Sequence, residues 1–119
     1  MQKFSRSLRY ALRGLSYTFR HEHNFQIEVI FAAMVLVAAL LFRLSPTEQS
    51  FLIIMVCIVL ALELLNTAVE RLVDMMKPCV HPYAKVVKDI MAAAVLMSSL
   101  LAVLIGCIIF FPRISALFH

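Results

Sequence analysis

Glu63 stands inside the run Leu60-Ala61-Leu62-Glu63-Leu64-Leu65, and the next basic residue along the chain is Arg71, about 12 Å further up a helix. An ionised carboxylate in so apolar a stretch is costly, so it normally faces a cavity or a partner and marks function. Asn66 and Glu70 follow at steps of three and four, which puts all three on one helix face, with Asp74 four residues on. Two carboxylates seven residues apart on one face suit two roles at different depths, proton acceptance and cation binding. A hard cation such as Mg²⁺ takes oxygen ligands and keeps waters or phosphates, so it needs few protein carboxylates. The plainer alternative is that Glu63 and Asn66 hydrogen-bond between packed helices. That suffices for Asn66 alone, but the cost of the charge and the continuity of the face weigh against it for all three. Asp74, already at the membrane interface, reads as a solvated side chain.

A second cluster holds His81, Lys85, Lys88 and Asp89. Lys85 and Asp89 are four apart and would make an ordinary surface pair. Asp89, however, directly precedes Ile90 and so sits at the membrane edge. The following Ala92-Ala93-Ala94 permits close helix approach, which would carry Lys88 and Asp89 toward the carboxylate face of the preceding helix. His81 alone is weak evidence. Glu22 and Glu28 flank the start of the first apolar run, and Glu22 among Arg20, His21 and His23 also reads as an ordinary interfacial charge. The His-Glu-His string invites a zinc reading, but adjacent helical residues point apart and no further His or Cys ligands stand at helical spacing. No zinc site is expected.

The elements that must position these groups follow from composition. The chain has 119 residues, 63% of them hydrophobic and 15% charged, with two glycines and four prolines; its mean hydropathy is +0.94. Such a composition excludes disorder, collagen and a loop-rich secreted scaffold, and a chain this short could not bury so much apolar surface as a soluble globule. It is an integral membrane protein with one domain. The net charge of +4 sits beside apolar spans, which suits anionic lipid headgroups, with no nucleic acid as partner. Cys57, Cys79 and Cys107 are an odd, unclustered set and read as unpaired. No cleavable signal peptide is visible.

The expected fold is all-α: an amphipathic surface helix over 3–22 and three transmembrane helices at about 25–44, 46–76 and 83–112. In the first, Phe4, Leu8, Ala11, Leu12, Leu15 and Phe19 recur at three- and four-residue steps opposite Arg6, Arg9, Arg13 and Arg20, so the helix should lie in the membrane interface. Ser45-Pro46-Thr47-Glu48 reads as a helix start, with Ser45 as N-cap and Glu48 completing a capping box. The helix from there to Met76, at about 46 Å, exceeds a hydrocarbon core of roughly 30 Å and must project from the membrane at its C-terminal end. Lys3, Arg6, Arg9, Arg13 and Arg20 precede the first span, and Arg71, Lys77, Lys85 and Lys88 lie between the second and third. Only Arg43 and Arg113 fall on the other side, which places the N-terminus in the cytoplasm and the C-terminus outside.

The string Glu63-Leu-Leu-Asn66-Thr-Ala-Val-Glu70-Arg-Leu-Val-Asp74, then His81, then Lys88-Asp89-Ile-Met-Ala-Ala-Ala-Val-Leu96 resembles the signature of the prokaryotic diacylglycerol kinase family, which includes the undecaprenol kinases. Tyr10-Ala-Leu-Arg13-Gly14-Leu15 and Glu22-His-Asn24-Phe25 match that family's leader and the glutamate before its first span. The likeness covers residues 3–112. It implies a homotrimer in the bacterial cytoplasmic membrane, with composite active sites at the cytoplasmic interface, transferring the γ-phosphate of ATP, bound with Mg²⁺, to a lipid hydroxyl. It implies Glu63 as general base, Asn66 as the residue orienting base or substrate, and Glu22 and Glu70 as metal ligands. Lys3, Tyr10, His81, Lys88 and Asp89 would line the nucleotide site. Lys3 stands where an arginine is common in the diacylglycerol branch, and Ala92 where that branch has serine. Glu22-x-Asn24-Phe25 and Gly106-Cys-Ile-Ile-Phe-Phe-Pro112 look more like the undecaprenol branch, although Glu28 stands where a histidine is expected there. Undecaprenol is the favoured substrate.

The residues suit such chemistry, since phosphoryl transfer needs positioning, metal neutralisation and a group to accept the alcohol proton. Gly14 and Gly106 are the only glycines, so no glycine-rich phosphate loop exists and nucleotide binding falls to lysines, metal and loop backbone. The chief rival is a small proton-coupled transporter built around Glu63. It gives no reason for Glu22, Lys88 and Asp89 at the cytoplasmic edge and usually needs more spans. A non-catalytic membrane subunit leaves the cost of Glu63 unexplained.

Overall fold

The computed structural model describes residues 2–79 and 81–118, which form four helices and no strand: α1 (Gln2–His21), α2 (His23–Leu41), α3 (Pro46–Met75) and α4 (Tyr83–Ser115). The last three are long and apolar enough to cross a membrane, with mean hydropathies of 2.1, 2.5 and 2.7. Helix α3 is the centre of the arrangement, packed against α4 along its length and against α2 on another side, while α1 leans on α2 and α3 near Glu22.

Helix α2 ends three residues earlier than the hydrophobic run suggests, and the backbone explains why. Arg43 adopts φ 49, the left-handed conformation that usually selects glycine. The Leu44 amide then donates to the Ala39 carbonyl at 3.1 Å and the Arg43 amide to Leu40 at 3.2 Å, the paired bonds of a Schellman helix end. Leu44 and Ala39, each 4% exposed, are buried in the same cluster. This is the apolar contact that accompanies such a turn and offsets the cost of a non-glycine residue there.

Helix α3 then starts as its residues dictate. The Ser45 hydroxyl accepts from the Glu48 amide at 3.3 Å, and Glu48 Oε2 accepts from the Ser45 amide at 2.9 Å, with Pro46 in the first turn. The same Glu48 oxygen accepts from Arg113 Nη2 of α4 at 2.8 Å, so one carboxylate caps α3 and ties it to the end of α4. Beside this knot lies the apolar core: Ala39, Leu44, Leu52 and Ile109, with Phe42 meeting Phe110 edge to face at 5.8 Å. Helix α4 runs through Pro112 to Ser115. Its packed face carries Ala84, Lys88, Met91, Val95, Ser98, Ala102, Ile105 and Ile109, all buried or half-buried at three- and four-residue steps.

Only 11% of the apolar window of α2 and of α4 is buried within the chain, against 28% for α3. The outer faces of the bundle therefore need lipid or another protein surface to cover them.

Candidate active site

The face of α3 anticipated from residue spacing exists as a buried polar stripe. Glu63 is 3% exposed, Asn66 8% and Thr67 4%, about one to two turns before the half-buried Glu70. Glu63 faces inward because Met55, Val59 and Val73 on the same side are also buried against neighbouring helices. The stripe meets the start of α2, where Glu22 caps the helix in extended geometry, φ −115 and ψ 109, without a side-chain cap bond. That single extended residue breaks what would otherwise be one helix and turns α1 away from the span.

Four carboxylates gather at this junction. Glu63 lies close enough to Glu70 and Glu22 for their charges to act on one another, and Glu28 of α2 stands in the same relation to Glu63. Glu28, which the sequence marks as flanking the first apolar run and the resemblance as a departure from an expected histidine, thus joins the cluster. A carboxylate about one turn and a half inside a largely apolar helix is the signal that would have placed it there. Asn66 Oδ1, Thr67 Oγ1 and Glu28 Oε2 are buried without a hydrogen-bond partner among the described residues. Buried polar atoms are rarely left so, and unpaired acceptors beside a set of carboxylates are what a site that receives a polar substrate would present.

Arg71, which the sequence marks only as an indicator of membrane sidedness, enters the site directly. Its Nη2 donates to Glu22 Oε1, and its guanidinium carbon stands 5.9 Å from the centre of the Tyr17 ring. Tyr17 stacks on His21 at 4.3 Å, so Arg71 ties the end of α1 and the cap of α2 to α3.

The other anticipated residues divide. Lys88 is half-buried on the packed face of α4 and near enough to Asp74 for their charges to interact. Asp74 itself is exposed and pairs with Lys77 at 3.0 Å. Asp89 is exposed, one residue off the packed face, so within one chain the alanine run brings Lys88 but not Asp89 toward α3. Among the described residues no ion pair joins Lys85 to Asp89. The exposed His81 accepts from the Tyr83 amide at 3.2 Å through Nδ1 and stacks on the Tyr83 ring at 5.4 Å. Lys3 and Tyr10 are exposed on α1. That helix is continuous to His21, so Lys3 stands about 27 Å along its axis from the carboxylates. A single chain therefore assembles Glu22, Glu28, Glu63, Asn66, Glu70 and Arg71, and leaves Lys3, Tyr10, His81 and Asp89 outside.

Among the described residues no three His, Cys, Asp or Glu side chains hold metal-binding geometry together. A cation such as Mg²⁺ would still find hard oxygen donors in Glu22 and Glu70, in a region of excess negative charge, with waters or phosphate oxygens completing its shell.

Residues 9–110 match the sequence model of the prokaryotic diacylglycerol kinases. The chain belongs to that family. Similar relatives include a diacylglycerol kinase of Synechocystis, 40% identical over 111 residues, which cover 92% of this chain and 63% of the relative. An undecaprenol kinase of Bacillus subtilis is 37% identical over 114 residues, covering 96% and 93%, and a diacylglycerol kinase of Escherichia coli is 30% identical over 100 residues, covering 84% and 82%. The chain thus spans less than two thirds of the Synechocystis relative but nearly all of the Bacillus one. Membership in the prokaryotic diacylglycerol kinase family makes lipid phosphorylation the chemistry against which the carboxylate cluster is read, and does not favour the proton-coupled transporter.

Proposed function

We propose that this protein is a membrane lipid kinase that transfers the γ-phosphate of ATP to a lipid hydroxyl at the cytoplasmic face of the bacterial inner membrane, with undecaprenol favoured over diacylglycerol. The observation that carries this reading is Glu63, 3% exposed in an apolar helix, beside unpaired Asn66 Oδ1 and Glu28 Oε2 and among carboxylates from two helices. Glu63 accepts the proton of the lipid hydroxyl as its oxygen bonds to the γ-phosphorus. The bond from phosphorus to the bridging oxygen breaks, and ADP leaves with that oxygen. Asn66, three residues on along the same face, orients Glu63 or the hydroxyl through its side-chain amide. Glu22 and Glu70 hold Mg²⁺, which when bound neutralises the phosphate oxygens. Lys88, Asp89, His81, Tyr10 and Lys3 form the nucleotide side of the site.

A homotrimer with sites composed from neighbouring subunits fits two features of the fold. The outer faces of α2 and α4 are apolar and uncovered within one chain, and Asp89, Tyr10 and Lys3 are exposed away from their own chain's carboxylates.

The test is purified protein in mixed micelles with labelled ATP, offered undecaprenol and diacylglycerol in parallel. Label should pass to both classes of alcohol if the site is tolerant, and faster to undecaprenol. A reversed preference would move the assignment to diacylglycerol, and transfer to neither would end the lipid kinase reading. In the same assay Glu22→Gln and Glu70→Gln should each raise the Mg²⁺ concentration needed for half-maximal rate. Lowered activity with an unchanged Mg²⁺ dependence would instead give these carboxylates structural roles.

A further inference from the structure

Among the described residues, Arg71 is the cation in ion-pair contact with the cluster of Glu22, Glu28, Glu63 and Glu70. Several features of that contact define what it can do. It reaches one oxygen of Glu22, through one guanidinium nitrogen. The Arg71 side chain is 46% exposed while that of Glu22 is 19% exposed, so the arginine approaches from the solvent side of a more deeply placed carboxylate. Beyond Glu22 it meets the Tyr17 ring face at 5.9 Å and the nearby charge of Asp74, both weaker holds than the ion pair. A cation bound by Glu22 and Glu70 would have to occupy the neighbourhood that this guanidinium now neutralises, and two cations side by side repel.

We propose that Arg71 is a resident counter-cation of the site, holding the Glu22 carboxylate until a divalent cation takes it and so setting how tightly that cation binds. The inference rests on Glu22 being a metal ligand. It gives the metal-free enzyme a defined α1–α2 junction at the expense of metal affinity. It also makes Arg71 a positioning residue, acting on the metal through Glu22. An exposed ion pair is modest in strength, so its removal should tighten metal binding by about three- to fivefold.

The experiment is Mn²⁺ binding to the full chain in detergent micelles, without ATP or lipid, read from the electron paramagnetic resonance of free Mn²⁺. Arg71→Gln should lower the Mn²⁺ concentration for half-saturation by about three- to fivefold, and Arg71→Lys, which keeps the charge, should stay within about twofold of the parent. In a Glu22→Gln background, Arg71→Gln should bring no gain. The sign separates this role from a purely structural one, because loosening the α1–α2 junction would weaken binding. Equal or weaker Mn²⁺ binding by Arg71→Gln overturns the inference while leaving Glu22 as a ligand. Unchanged binding by Glu22→Gln alone overturns the ligand assignment and the inference together, and neither outcome depends on phosphoryl transfer.

Discussion

Glu63→Gln is expected to abolish most phosphoryl transfer, by about 10²–10⁴ in rate, the usual contribution of a general base, while ATP affinity stays within a few-fold. The amide keeps the volume and the buried position of a side chain that is 3% exposed, so the helices need not repack, and it retains a carbonyl that can accept a hydrogen bond. What it loses is the ability to take the alcohol proton. Steady-state kcat in the micelle assay, with ATP binding measured separately, separates the two. Near-normal turnover would end the general-base assignment and return Glu63 to the role of a buried link between helices.

Topology gives an all-or-none result. ATP is cytoplasmic, so the proposed site requires Glu22, Glu70, His81, Lys88 and Asp89 all to reach that side. Cys79 is a native probe in the 76–82 connection, free and exposed, whereas Cys57 and Cys107 lie within α3 and α4. With both of these changed to Ala, a membrane-impermeant thiol reagent should label Cys79 only after intact cells are opened. The expectation follows from the distribution of lysine and arginine, independent of the family. Labelling in sealed cells would put the connection outside, part the carboxylates from ATP and make the kinase reading untenable.

Features set by local chemistry are legible in the sequence, and those set by meetings between distant residues are not. Ser45, Pro46 and Glu48 specify a helix start within four residues, and the capping bonds form as that pattern requires. The Glu63, Asn66 and Glu70 face depends only on helical spacing, so it too can be read in advance. By contrast Arg43 gives no sign of ending a helix, since its left-handed backbone is held by the burial of Leu44 against Ala39 and by no preference of its own. The pairing of Arg71 with Glu22 joins residues 49 apart in the chain, which no periodicity reveals. The small-residue run after Asp89 points that side chain toward the carboxylates, but a helix face is narrower than such a run suggests. A step of one residue, about 100° of rotation, puts Lys88 on the packed side and Asp89 outside it.

The length of α3 has a consequence for the lipid. Glu63 lies seven residues before Glu70 on a continuous helix, which recesses the proposed base about 10 Å below the shallower carboxylate. A hydroxyl brought to Glu70 would drag its hydrocarbon tail upward by that distance, and each methylene drawn out of the oily interior costs about 0.8 kcal/mol. With Glu63 as the proposed base, the tail would be spared that climb. On that proposal the soluble substrate would do the travelling instead, its terminal phosphate descending past the mouth of the site to meet an alcohol that stays at its own depth. An acceptor with a longer tail would then suffer no penalty for its length, so chain length should influence how fast the lipid arrives far more than how fast it reacts.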